Sequence, residues 1–357
     1  MPSCVLLLPG ALLPARIAPD VLRAATLPVL GALLNGAQAP ISNPLVATEA
    51  MAGAAHLAWL WQVFAHRSDL PVTAPYAWAA LGGPALSTEV WRVRPCHFAL
   101  ARDHMLLDSL AGDAPTAAEI DARSAALRVA ARDAGFMLQQ FDHHWFLTRK
   151  TPWPVQVRPW ESQLGATIGP ESVAGESQLE WRKLLNDVQM SWHVAGLNDE
   201  REAADRRTIN GVWIDGGGRH QRLSPSNFHA VLADDEAIRG WALATGMQST
   251  WVRPLQDHWP DSPRGDVLAV LPDLLAAHRN EDWGDWLAAL PALEARIERL
   301  IEAARGRGID TVVLAATGRE TARTVIKTDP GWRFWRRWQA PSLADWLAEP
   351  TDLSEPT

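Results

Sequence analysis

Leu197–Gly218, reading LNDEREAADRRTINGVWIDGGG, carries residues suited to gripping an anion. Arg201 offers a planar guanidinium that meets a carboxylate or phosphate with two parallel hydrogen bonds, and Asn198 can donate or accept beside it. An apolar strand, Gly211–Asp215, follows and ends in Gly216, Gly217 and Gly218, where positive φ and close backbone approach carry no steric cost. The glycines lack the Gly-x-Gly-x-x-Gly spacing that seats a pyrophosphate, and no Gly-x-x-x-x-Gly-Lys-Ser/Thr motif is present. Two readings stand. One is an anion cradle. The other is a charged surface loop in which Asp199, Glu200, Glu202 and Asp205 pair with Arg201, Arg206 and Arg207, each pair contributing about a few tenths of a kcal/mol.

Other residues with chemical potential are scattered. Asp273 and His278 in LPDLLAAH supply a carboxylate and an imidazole, the ligand types that hold divalent cations. Asp142-His143-His144 reads as a polar hairpin turn, since adjacent histidines on a strand point to opposite faces. His193 and His220 flank the opening stretch and read as solvated or core-satisfied. GWRFWRRWQ, residues 331–339, interleaves Trp332, Trp335 and Trp338 with Arg333, Arg336 and Arg337, a pattern suited to a protein or self interface. Its plain alternative is a terminal element whose tryptophans cover the core.

Composition narrows the field. The formal charge of −8 opposes general nucleic-acid binding. Cys4 and Cys96 have no CxxC spacing, which fits a reducing cytosol and gives no zinc site. CVLLLPGALLPA lacks a basic flank and is too short to span a bilayer, so a cytoplasmic protein without membrane contact is expected.

Elements must position these residues. Val5–Leu8 reads as a strand buried on both faces. The segment MAGAAHLAWLWQVFAH reads as a buried helix. Thr88 to Lys150 gives a ββαββ texture, its helix opened by a capping box at Thr116 and Glu119. Beyond Ser177 helix and strand alternate: a helix through Leu184 and Val188, then Gly211–Asp215, Val267–Leu271, a helix from near Pro291 to Gly306 or Gly308, and Thr311–Ala315. Such alternation predicts an α/β fold with a mostly parallel sheet. The expected division is a core from 1–87 and 151–350, a small α+β insert at 88–150, and a disordered tail at 351–357.

Asn198, Arg201, an Asn-x-Val-Trp strand (Asn210, Val212, Trp213) and Gly216-x-Gly218 resemble the archaeal-type, cofactor-independent phosphoglycerate mutases. AIRGWALATGM and TVVLAATGRET match further in the same order, and the RpfE-type regulatory proteins share the LNDERE…W…G-G signature. The resemblance covers nearly the whole chain. It implies an alkaline-phosphatase-like sheet with helices on both faces, and a cleft between core and insert. In working members that cleft holds two divalent metals and a serine nucleophile. It also implies Asn198, Arg201, Asn210, Gly216 and Gly218 on the substrate side of that cleft.

The sequence departs from the family at the chemistry. Leu8-Pro9-Gly10 stands where the family places Asp-Gly, and Thr317-Gly318-Arg319-Glu320 where it has Thr-Gly-Asp-His. Ser42 and Thr48 are the hydroxyls of the nucleophile region, without a Gly-Ser-Asp. No metal centre is therefore expected, with Asp273 and His278 the surviving candidates. Arg319 would add positive charge for a bound anion. The expectation is a catalytically degenerate, regulatory relative that binds a small anionic ligand or a protein partner, a second copy included. An active mutase or metal-dependent phosphatase using Mn or Zn is the alternative. A structural subunit using Trp332, Trp335, Arg336 and Trp338 is another.

Overall fold

The computed structural model describes residues 2–35, 38–40, 45–67, 69–101, 104–110, 112–141, 143–255, 265–328 and 343–349. Ser42, Asp142, the stretch 331–339 and the tail 351–357 lie outside the described residues. The chain forms two compact units, one made of 1–68 and 222–357, the other of 69–221.

The first unit is built on the strand Ser3–Pro9. Cys4, Leu6, Leu7 and Leu8 are all fully buried, so this strand needs hydrogen-bonding partners on both edges and apolar cover on both faces. It pairs in parallel with Asp266–Val270 on one side and Thr311–Thr317 on the other. The sheet runs Val252–Arg253, Phe228–Leu232, Asp266–Val270, Ser3–Pro9, Thr311–Thr317, Thr321–Thr328, Gln38–Pro40, with Leu45–Val46 also pairing on Thr321–Thr328. Among the described strands of this sheet, Thr321–Thr328 is the one that runs antiparallel to the rest.

Helices cover both faces. Leu6, Leu8, Val312 and Leu314 meet the helix Trp283–Arg305 through Trp286, Leu290, Leu293 and Ile297. Each such buried side chain contributes roughly 1.5–3 kcal/mol. On the other face lie Ala55–Ala65 and Glu236–Ala244, whose Trp61 and Trp241 rings pack 5.3 Å apart. The helix expected to begin near Pro291 begins at Trp283 instead, with Pro291 inside it. The Asp282 side chain caps it, and the buried stripe already starts at Trp286, outweighing the one hydrogen bond that proline removes.

The second unit is a separate antiparallel sheet. Glu89–Ala101 pairs with Gly211–Gly218, His144–Arg149 and His104–Asp108, and Met137–Phe141 completes the edge. The helix Ala117–Asp133 starts with the capping box: Glu119 N–H donates to the Thr116 hydroxyl, and Thr116 N–H to the Glu119 carboxylate. It packs beside the helix Gln178–Val194 against this sheet. Two corrections follow. The compact unit spans Asp69–Gln221, wider than the 88–150 insert read from the sequence, so residues 151–221 belong with it and not with the larger unit. Gly211–Gly218 is accordingly no strand of the parallel sheet. An apolar run marks a strand without saying which sheet it joins.

Both cysteines are buried free thiols, one in each unit. Burial pushes the Cys4 thiol up to about 12 and the Cys96 thiol well above its ordinary range. No helix among the described residues is long and apolar enough to cross a membrane.

Glu294 ties two helices together. Its carboxylate, 5% exposed, accepts from Val29 N–H at 2.5 Å and Leu30 N–H at 3.0 Å, the otherwise orphaned donors opening the helix Pro28–Asn35. Glu294→Ala is expected to lower unfolding free energy by about 1–3 kcal/mol, because it strands buried amides. Urea denaturation of the variant against wild type measures it.

Candidate functional site

The carboxyl ends of Ser3–Pro9 and Thr311–Thr317 lie side by side, with Pro9 paired to Thr317. This is the edge at which open α/β sheets take ligands. Gly10 leaves the first strand at φ +76, where a Cβ would press on the His278 Cβ at 2.9 Å and on Leu274 and Leu275 backbone at 3.0 Å. Trp286 Nε1 donates to the Gly10 carbonyl at 2.9 Å. His278 is buried and its Nε2 donates to the Leu12 carbonyl at 2.8 Å. Burial holds its pKa below the usual histidine value, so it is a neutral imidazole fastened to backbone.

The other metal-ligand candidate, Asp273, is ion-paired with Arg296 at 2.9 Å. Arg319 faces Glu281 at 3.7 Å, both more than half exposed, a pairing of small energetic weight. Beside it, one oxygen of Glu349 accepts from the Glu320 N–H at 3.0 Å and from the Thr321 N–H and hydroxyl at 3.3 and 3.2 Å. Among the described residues no group of three or more His, Cys, Asp or Glu side chains forms a metal-holding cluster. The residues at this edge do not fit a two-metal centre: Asp273 and His278 serve separate internal partners, and Arg319 brings a cation of its own. Thr48 is exposed ahead of the single turn Glu49–Met51. Glu349 had no signal in the sequence, since its partners lie 28 and 29 residues away.

In the smaller unit, Arg201 opens no path to solvent. It sits 1% exposed in the short helix Asp199–Ala203. Its Nε donates to Arg207 O at 2.9 Å, one terminal nitrogen to Asp113 O at 2.7 Å and Oδ1 at 3.0 Å, and the other to Glu119 at 3.4 Å. Asp113 also accepts from Arg206 Nε at 2.9 Å and Arg207 N–H at 2.7 Å. The Arg206 hydrogen bond, the Arg207 amide and the charge of Arg201 hold the Asp113 carboxyl below the usual carboxylate range. The guanidinium fork is thus filled by the chain's own carboxylates, and the acids adjacent in sequence are not its partners.

Asn198 is equally committed. Its Oδ1 accepts from Ile209 N–H at 2.9 Å and from Arg123 at 2.7 Å, while Nδ2 donates to Ile209 O at 3.2 Å. Asn210 bonds both Phe98 backbone groups, accepting at 2.7 Å and donating at 3.0 Å. Gly216, at φ +65, accepts from Thr73 N–H at 3.0 Å, and any Cβ there would collide with the Thr73 hydroxyl. Gly217 lies against the Trp91 ring in the same way. These glycines allow close packing against Thr73 and Trp91.

A second polar cluster was not anticipated. Asp215, 1% exposed, accepts from Arg94 and from Trp160 N–H at 2.6 Å, and Arg94 also reaches Glu161 at 3.6 Å. Burial above all, reinforced by Glu161 and opposed by Arg94, raises the Asp215 pKa to about 6. An acid ending an apolar strand run was the available signal. Arg92, Arg94, His143, His144, Gln140 and Trp160 line a cavity of about 740 Å³, together with apolar residues such as Leu110 and Ile120. His143 and His144 stack with ring centres 4.1 Å apart, contrary to the opposite-face expectation, because His143 is in the turn and only His144 in the strand. Arg92 donates to His144 Nδ1 at 2.9 Å. His193 is exposed just before the end of its helix, and His220 stands over Tyr76 with ring centres 5.0 Å apart.

No protein-family model and no curated protein matches the sequence. Among solved structures, the chain is similar to the PH0037 protein from Pyrococcus horikoshii, with 14% identity, 92% of this chain and 87% of that one covered, and a TM-score of 0.50. A cofactor-independent phosphoglycerate mutase from Thermoplasma acidophilum DSM 1728 aligns over 96% of this chain and 94% of its own, at 15% identity and a TM-score of 0.43. What is shared with PH0037 is the fold: α/β, with a mostly parallel central sheet.

Arg201→Ala is expected to cost about 1–3 kcal/mol in urea unfolding, because the Arg207 and Asp113 carbonyls lose their donor while Arg206 still serves the Asp113 carboxylate. Asp215 gives a pH signature. Its folded pKa, about 6, exceeds the ordinary 3.8, so between these values the folded state holds the extra proton and stability falls as pH rises. Thermal midpoints of wild type and Asp215→Asn between pH 4 and pH 7 test this, with wild type expected to gain relative to the variant as pH falls through about 6.

Proposed function

We propose that the protein is a catalytically degenerate relative of the cofactor-independent phosphoglycerate mutases, of the RpfE-type regulatory kind, binding a small anionic ligand or a protein partner. One observation carries the reading. At the paired strand ends, where the resemblance calls for Asp-Gly and Thr-Gly-Asp-His, stand Pro9-Gly10 and Thr317-Gly318-Arg319-Glu320. Phosphoryl transfer of the implied kind needs carboxylates and imidazoles free to hold two cations beside the reacting oxygens. Here the nearby imidazole is fastened to Leu12, the carboxylate of Glu349 is taken by backbone amides, and Arg319 repels any cation nearby. A cytoplasmic setting fits two reduced thiols held in apolar surroundings.

The test is metal content with turnover. Protein purified without chelator is expected to carry substoichiometric Mn and Zn by elemental analysis. It should also show no phosphoglycerate mutase or phosphatase turnover that added Mn²⁺ raises and chelator abolishes. Two metal equivalents per chain together with chelator-sensitive turnover would establish the enzyme instead.

A further inference from the structure

We propose that the turn following Thr311–Thr317 is an oxyanion-binding site which the chain fills from within, using the carboxylate of Glu349. The inference deepens the ligand-binding reading above, naming the site and how it is controlled.

The turn is built to receive an anion. Two successive amides, Glu320 and Thr321, and the Thr321 hydroxyl converge on one carboxylate oxygen at 3.0, 3.3 and 3.2 Å. Successive backbone N–H groups of this kind form an anion-binding concavity. Its orientation is fixed from outside: Gly53 N–H donates to Arg319 O at 2.6 Å, and Ala47 N–H to Glu320 O at 2.7 Å. Gly318 supplies the clearance, since a Cβ there would land on the Glu349 carboxylate. Thr317 ends the same strand with a fully buried hydroxyl that has no hydrogen-bond partner among the described residues. It is a further polar group that Glu349 does not use. Arg279, Arg319 and Glu349 all lie within electrostatic reach of His278.

Glu349 is delivered by a tether. Leu13 N–H donates to Leu347 O at 2.7 Å and Glu349 N–H to Leu13 O at 2.8 Å, while Trp346 and Leu347 are buried anchors. Arg323 adds a bond to Asp345 O at 2.6 Å. A carboxylate held in this way competes at high effective concentration, so a free ligand gains the amides only where residues 343–349 give way. The ligand chemistry is a carboxylate or phosphate oxyanion presenting one oxygen to the amides.

Thermal midpoints of full-length wild type and Glu349→Ala are to be measured in titrations of sodium formate and of inorganic phosphate, against chloride at equal ionic strength. Glu349→Ala is expected to melt lower. One or both anions should then restore it saturably, at concentrations lower by about tenfold or more than any effect on wild type. Formate alone assigns a carboxylate site and phosphate alone a phosphoryl site; either upholds the proposal. Adding Thr321→Val should weaken the rescue. No anion effect beyond chloride in Glu349→Ala, or an equal effect in wild type, overturns it, leaving Glu349 as a structural tie. If Glu349→Ala does not fold, Glu349→Asp draws the carboxylate back by one methylene, and the same titration decides with the same outcomes. Chelator-sensitive mutase turnover would sink the degenerate reading without touching this titration, whereas a flat titration without turnover sinks only the site.

Discussion

The first strand has to be satisfied on every side, and much else follows from that. Ser3–Pro9 is buried from Cys4 onward, so an unpaired amide on either edge would stay unpaired. Two parallel neighbours meet the need, in registers that bring Leu7 opposite Val270 and Pro9 opposite Thr317. Parallel neighbours require crossovers, and the crossovers supply the helices that cover the sheet. The same pairing sets the ends of two strands together, and a group of polar contacts gathers there: Trp286 on Gly10, His278 on Leu12, Glu349 on Glu320 and Thr321.

A common device recurs in both units. At several places a side-chain oxygen or amide stands in for a missing backbone partner. Glu294 completes the start of a helix, Asn210 stands in for a strand beside Phe98, and Asn198 bonds Ile209. Each removes the cost of an unmet polar group in a dry setting. The ion cluster on Asp113 belongs to the same economy, because Arg201 is too deeply buried to be left without acceptors.

The fold was legible where one local rule sufficed. Short apolar runs marked Ser3–Pro9, Asp266–Val270 and Thr311–Thr317, and Thr116 with Glu119 marked the start of a helix. What failed was non-local. Gly211–Gly218 has the apolar run of a buried strand, yet its partner Glu89–Ala101 cannot be chosen from its own residues. Arg201 was weighed against acids beside it in sequence, but its helix is five residues long and its carboxylates come from Asp113 and Glu119. That Pro9 and Arg319 are neither carboxylates nor imidazoles was readable because it is a matter of residue identity. The occupant of that corner, Glu349, was not, because its role exists only once the chain returns past Leu13.

The two cysteines have a practical consequence. Thiol reagents attack the thiolate, which burial suppresses at both positions. Cys4 lies in the central strand of one unit and Cys96 in the longest strand of the other. Alkylation of either side chain therefore waits for the strand that holds it to open, and the two modified peptides are distinguishable by mass. The protein carries, without any engineering, a separate covalent clock for the opening of each of its two halves.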